Sequence, residues 1–217
     1  MNKVAVLVSG GIDSSVLTVE LAKAGYEVFP LYVRHGLYWE KVELEYLHQF
    51  LAALNHSNIR TLDVLDLPVG DIYGAHWSVS GRGVPDETTA DDAVYLPGRN
   101  LLLLAKASVW CSNKGIGEIA LAPLKGNPFS DNTDDFYRTM EDAVSMALEW
   151  PLKVIRPFAA KNKYEVIELG KDLPLQFTFS CIRPVNGLHC GHCNKCAERI
   201  IAYKRLGLTD KTSYKTG

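Results

Sequence analysis

Residues 9–15 read Ser-Gly-Gly-Ile-Asp-Ser-Ser, between the apolar run Val4-Ala5-Val6-Leu7-Val8 and an amphipathic stretch from Val16 to Ala24 that stops at Gly25. A strand-length apolar run, adjacent glycines and a helical period, in that order, predict strand, tight turn and helix. Adjacent glycines let the backbone pass close to a ligand. The hydroxyls of Ser9, Ser14 and Ser15 and the free N–H groups of the helix's first turn are then expected to converge on one spot, where the helix dipole favours an anion. A polyphosphate fits there. The commoner phosphate loop ends in Gly-Lys-Ser/Thr. Here Asp13 stands where that lysine would be, so magnesium is expected to help carry the phosphate charge. The competing reading is a plain Gly-Gly turn, and the strand and helix on either side weigh against it.

With those residues in place, Ser-Gly-Gly-x-Asp-Ser resembles the pyrophosphatase loop of the PP-loop, ATP-dependent adenylating enzymes. The resemblance implies that ATP is split between its α- and β-phosphates, that AMP passes to a substrate oxygen, and that pyrophosphate leaves. It assigns Ser9, Gly10, Gly11, Asp13, Ser14 and Ser15 to the pyrophosphate end of ATP.

A chain of 217 residues with 47% hydrophobic content can bury one sizeable core. The formal charge of −2 gives no electrostatic argument for a nucleic-acid or membrane partner. Met1-Asn2-Lys3 and the short strand after it lack the length and cleavage site of a signal peptide, and no apolar run approaches the roughly 20 residues that span a bilayer. A soluble, cytoplasmic chain is expected.

Of the five cysteines, Cys111 stands alone in the apolar run Leu101 to Cys111 and reads as a core residue. Cys181, Cys190, Cys193 and Cys196 crowd into 16 positions, with two overlapping Cys-x-x-Cys steps. Four thiolates so spaced suit a closed, structural zinc site with no open coordination position. His189 and His192 are rival ligands, but four cysteines already complete a tetrahedral shell. An iron–sulfur cluster is the alternative on ligand type alone.

Strand and helix patterns alternate between these landmarks: strands at Glu27 to Val33, Ile59 to Leu65, Glu118 to Leu121 and Lys153 to Arg156; helices at Leu37 to Leu54, 98–113, Asp134 to Glu149 and Lys161 to Lys171. That alternation predicts an α/β, doubly wound parallel sheet with ligands at the carboxyl ends of its strands. One segment breaks the pattern. Asp66 to Leu96 carries Gly70, Gly74, Gly81, Gly83 and two prolines without a clear period, and reads as a surface excursion or a substrate-binding lid.

Tyr95-Leu96-Pro97-Gly98-Arg99-Asn100, the Cys-x8-Cys-Gly-x-Cys-x-x-Cys cluster and Lys163-Tyr164-Glu165 ahead of it carry a closer likeness. Their order and spacing resemble the 7-cyano-7-deazaguanine (preQ0) synthases, over roughly residues 3–206. The resemblance implies a two-stage ligase of queuosine biosynthesis, in which ATP adenylates a 7-carboxy-7-deazaguanine and ammonia displaces AMP to give an amide. The amide oxygen is then adenylated and eliminated to a nitrile. It further implies a PP-loop domain over 1–175 and a zinc-binding segment with a C-terminal helix over 176–217, with a homodimer allowed. Arg99 and Lys163 match basic positions of the family and are candidates for the developing phosphate charge. Asp131 matches an aspartate expected to contact substrate or magnesium, and Tyr73 or Trp77 is expected to stack on the deazaguanine. Where the family reads Tyr-Pro-Asp-Cys-Arg, this chain reads Phe129-Ser130-Asp131-Asn132-Thr133. That departure leaves open a relative acting on a different carboxylate, including one on a macromolecule. A zinc-ribbon module binding nucleic acid is a third reading. Lys195, Arg199, Lys204 and Arg205 lie near the cysteines, but no aromatic is interleaved with them in the zinc loop and the net charge is negative.

Overall fold

A computed structural model describes residues 1–215 and, of Asp91, the backbone alone. Its centre is β1 (Lys3–Leu7), in a parallel sheet with β2 (Glu27–Arg34), β3 (Asp63–Asp66), β4 (Glu118–Ala120) and β5 (Lys153–Ile155). The order is β3-β2-β1-β4-β5, with Val4 beside Val28 on one side and Ala5 beside Ile119 on the other.

Side chains alternate across a strand, and here both faces are buried. Val4, Val6 and Val8 join a core with α1 (Ile12–Lys23), α2 (Glu40–Leu54), α7 (Lys163–Leu169) and α8 (Asn194–Leu206). Ala5 and Leu7 join a second core with α5 (Arg99–Lys114) and α6 (Asp134–Leu148). This is the doubly wound arrangement the alternation predicted. Cys111 lies fully buried in the second core, its thiol pushed up to about 12 by burial. The winding reverses between β1 and β4, so the crevice at their carboxyl ends is where a ligand of such a sheet sits.

β3 and α2 start later than the periodicity predicts, as does α7, which begins at Lys163 rather than Lys161. β3 begins at Asp63 rather than Ile59. Ile59 makes an isolated bridge to Val28, and the ladder resumes only at Leu31 with Asp63, slipped by one residue. Pro30 lies between them and has no N–H to give the neighbouring strand. α2 begins at Glu40 rather than Leu37, because the Glu40 carboxylate accepts the backbone N–H groups of His35 and Gly36 (2.9 Å for Gly36) and holds residues 35–39 in a turn.

The segment after β3 is folded. It forms short helical turns α3 (Gly70–Tyr73) and α4 (Trp77–Ser80) and a 3-10 turn at Asp91–Val94. Backbone hydrogen bonds from Asn194 to Pro85 (3.1 Å) and from Glu87 to His192 (3.0 Å) pin it to the cysteine segment. Val69 and Leu96 pack with Leu37, Trp39, Phe179 and the four clustered cysteines in a third core.

Candidate active site at the carboxyl ends of the strands

Gly10 turns the chain out of β1 with φ +70, and its carbonyl accepts the Phe179 N–H at 2.7 Å. A side chain there would be strained and would meet Glu43 at 3.1 Å. Gly11 caps α1 without a side-chain hydrogen bond, leaving the first-turn N–H groups to a ligand. The Ser14 hydroxyl accepts from the Ser9 N–H at 3.1 Å and meets the Ser9 hydroxyl at 3.3 Å. Ser15 is placed differently from the expectation. A helix turns about 100° per residue, which carries its hydroxyl away from Ser14 into a buried position that lines neither cavity.

The loop stands between two lobes that share Ser9, Gly11, Asp13, Glu43 and Arg99 as lining. The larger, about 430 Å³, is walled by Trp39, Trp77, Leu96 and Phe129, with Lys125, Lys163, Lys195 and Glu198 at its charged side. Trp39 and Trp77 stack with centroids 5.7 Å apart. The smaller, about 190 Å³, lies between the ends of β1 and β2 and is lined by Tyr32, Val33, Leu103, Leu121 and Tyr137.

Lys163, first residue of α7, reaches across the site to Asp13 at 2.6 Å and Glu198 at 3.4 Å. Lys195 holds Glu198 from the other side at 2.9 Å. Burial pulls the Lys163 amine down, but the two carboxylates outweigh it and hold the amine above its ordinary value. Burial pushes Glu198 up, and the two lysines bring it down to about 2. One Asp13 oxygen and the Arg99 Nε are buried with no hydrogen-bond partner. A half-buried guanidinium with a free N–H beside an anion-ready helix start fits a phosphate.

Other expected residues lie elsewhere. Asp131 lines neither lobe. Its carboxylate accepts the Asn100 N–H at 3.0 Å and its carbonyl accepts the Asn100 amide at 2.9 Å, so it braces the start of α5, where Arg99 stands. Tyr73 donates its hydroxyl to the Pro97 carbonyl at 2.8 Å, outside the lobes. Thr133 caps α6 by accepting the Phe136 N–H at 3.1 Å.

Sequence reasoning missed Glu43. Its carboxylate accepts Tyr32 Oη at 2.7 Å and Trp39 Nε1 at 3.1 Å, and burial pushes it up to about 7 against the pull of Tyr32 and Arg99. The signal was present. Glu43 shares the buried face of α2 with Leu47 and Phe50, at i+4 and i+7.

The four cysteine sulfurs lie within 4.8 Å of one another, with Cys190 to Cys196 at 3.9 Å and Cys193 to Cys181 at 3.8 Å. A tetrahedral ion with bonds of about 2.3 Å to sulfur needs sulfur–sulfur separations of about 3.8 Å. The cluster therefore fits such an ion. Backbone N–H groups of Arg183, Cys190, His192 and Cys193 point at Cys181 and Cys190 sulfur at 3.3 Å, as thiolate ligands require. His189 is turned away from the cluster, its Nε2 accepting from the Ser180 N–H at 3.1 Å.

The sheet order, the glycine loop and the paired lobes define a doubly wound α/β fold of the PP-loop type with an appended four-cysteine cluster. Solved structures share that fold. A 4-thiouridine synthetase bound to RNA and ATP superposes with a TM-score of 0.53 at 16% identity, covering 95% of this chain and 50% of that one. A predicted tRNA methyltransferase subunit from Methanocaldococcus jannaschii gives 0.51 at 16%, covering 79% and 75%. The sequence profile described as "Queuosine biosynthesis protein QueC" matches residues 3–207, and the chain belongs to that family. Among its relatives, 7-cyano-7-deazaguanine synthase 1 of Desulfitobacterium hafniense is 34% identical over 91% of this chain and 90% of its own length. The 7-cyano-7-deazaguanine synthase of Methanocaldococcus jannaschii is 28% identical over 98% and 99%.

Proposed function

We propose that the protein is an AMP-forming carbon–nitrogen ligase that converts 7-carboxy-7-deazaguanine and ammonia to 7-cyano-7-deazaguanine through the amide, splitting ATP to AMP and pyrophosphate in each stage. The observation that carries this reading is the glycine loop standing between two lobes that both open onto it. ATP lies with its pyrophosphate on Ser9, Gly10, Gly11, Ser14 and the start of α1, and its purine in the smaller lobe. The acid lies in the larger lobe, with its flat ring against Trp77. That places the acid's oxygen beside the α-phosphate, and positioning of this kind supplies much of the rate in acyl activation.

Arg99 and Lys163 flank the phosphates. Arg99 has a free N–H to give, and Lys163 can exchange its contact with Asp13 for one with an oxygen that becomes charged as the bond to pyrophosphate breaks. Magnesium, arriving with ATP, supplies further charge neutralisation. Asp131 acts by holding Asn100 and so the start of α5. Zinc is the ion we assign to Cys181, Cys190, Cys193 and Cys196, since the buried set leaves no open position for chemistry. Residues 1–175 form the ATP-binding unit in this reading and 176–217 the zinc-bearing one. Ammonia is the co-substrate, and the setting is the cytoplasm. Among the described residues no helix is long and apolar enough to cross a membrane.

The test is mass spectrometry of products from ATP, magnesium, ammonium and 7-carboxy-7-deazaguanine, run beside a panel of other carboxylic acids. The nitrile with AMP and pyrophosphate is expected. The departure at Asn132 and Thr133 makes the panel informative, since turnover of another acid alone moves the substrate and keeps the chemistry.

A further inference from the structure

Glu43 is an acid that the adenylation step does not use. Its side chain sits at the seam of the two lobes, 8% exposed, and Gly10 of the loop packs directly against it. A carboxylate offers about four lone-pair positions, and Tyr32 and Trp39 occupy two. We propose that Glu43 is an ammonium-binding site and the proton acceptor that frees ammonia for attack on the adenylated acid. This inference rests on the ligase reading above and adds a group to its second half.

The chemistry demands such a group. At neutral pH ammonia in water is almost all ammonium, which has no lone pair to give. A buried carboxylate attracts that cation, where apolar walls weaken its competition with water. The ammonium passes one proton to Glu43. The freed lone pair forms the carbon–nitrogen bond, and the carbon–oxygen bond to AMP breaks with its electron pair on the phosphate oxygen. The surplus proton on nitrogen goes to water, and the proton on Glu43 follows when the site reopens. In the second stage the amide nitrogen gives one proton to water as its oxygen is adenylated, and Glu43 takes the remaining proton from the resulting imidate nitrogen. The N–H electron pair becomes the third carbon–nitrogen bond as AMP leaves.

The environment suits the role. Burial raises the acid to about 7, so it both accepts and releases a proton near neutrality. The groups that face it are Tyr32 from β2, which lowers it by donating a hydrogen bond, Trp39 and Glu40 from the same turn and helix, and Arg99 from α5, which lowers it by charge. Arg99 is the group assigned to phosphate.

The experiment separates the two halves of the reaction. Acid-dependent exchange of labelled pyrophosphate into ATP reads adenylation, and amide formation from ammonium reads capture. In Glu43→Gln the ratio of amidation to exchange should fall about 10²-fold, the usual size of a lost general base. Hydroxylamine, largely unprotonated at neutral pH, should restore capture as the hydroxamate. Should Glu43→Gln fail to fold, Tyr32→Phe serves. Removing its hydrogen bond raises Glu43, so the acid limb of the ammonium-dependent rate should move to higher pH. Amidation and exchange falling together in Glu43→Gln, or amidation persisting, or an unmoved limb in Tyr32→Phe, would overturn the inference. Absence of acid-dependent exchange in the unaltered enzyme sinks the ligase reading itself, and the inference with it.

Discussion

The glycine loop and the cysteine cluster are both sites for something charged, and they are built in opposite ways. Around the loop, polar atoms are left without partners: a buried Asp13 oxygen and the buried Arg99 Nε have none, on residues that line the cavity. Around the cysteines, every sulfur is buried and backbone N–H groups are aimed at two of them. The first arrangement is costly until a ligand arrives, as suits a substrate that comes and goes. The second is closed on itself, as suits an ion that stays. One helix serves both. α8 carries Cys196 in its first turn, with Lys195 and Glu198 beside it on the cavity wall. Arg199, 1% exposed, locks the helix to Thr178, the Leu175 carbonyl and Asp210.

The largest effect should come from breaking the closed site. Cys196→Ser removes one of four thiolates, and loss of a structural ion should lower the melting temperature by about 10 °C or more. Because α8 would lose its anchor, substrate-dependent pyrophosphate release should vanish as well. Elemental analysis beside thermal melts checks both, and a soluble, active variant without zinc would break the contrast between the sites. Changes at the open site should do the reverse. Lys163→Ala should cut pyrophosphate release about 10²- to 10³-fold, the scale of losing one charge-stabilising donor. The melting temperature should fall by less than in Cys196→Ser: the Lys163 and Asp13 side chains are only 19% and 24% exposed, so losing the pair has a cost, but Asp13 borders the cavity and Lys195 still holds Glu198. A large drop in melting temperature with intact turnover would make Lys163 a structural brace.

Both landmarks were legible because each is contiguous. Seven residues specify the loop, and 16 positions hold the cluster. The sheet was legible because strands and helices have different periods. What lay beyond reading were the contacts that fold distant segments together. Lys163 meets Asp13 across 150 positions, and Lys195 and Glu198 reach the cavity only because the cysteine cluster sets the path of α8. Ser15 shows the opposite failure, where a hydroxyl adjacent in sequence is turned away by the helix itself. Asp131 matched the family pattern, yet a motif match carries no direction, and this side chain points at Asn100.

A smaller effect should come from the wall of the larger lobe. Trp77→Ala removes the ring stacked on Trp39. Base–aromatic stacking is worth about 1–3 kcal/mol, so KM for the deazaguanine acid should rise about tenfold or more with kcat little changed. The KM for ATP should hold, because Trp77 lines the larger lobe alone. If KM for ATP rises instead, the assignment of the two lobes is reversed.

The smallest effect should come from Asp131, which belongs to neither site. Its carboxylate accepts one backbone N–H at the start of α5, and losing such a bond costs about 1–2 kcal/mol. For a chain of this size, Asp131→Ala should lower the melting temperature by about 2–8 °C. Arg99 stands one residue before Asn100, so a loosened helix start should cost pyrophosphate release about tenfold, well short of the loss in Lys163→Ala. Asp131→Asn keeps an oxygen that can accept the Asn100 N–H and should restore most of both. A carboxylate that instead held magnesium or touched substrate would not be rescued by an amide. Steady-state rates for the two variants, beside their melts, therefore tell bracing from contact, and an inactive Asp131→Asn of normal stability would move this residue into the open site.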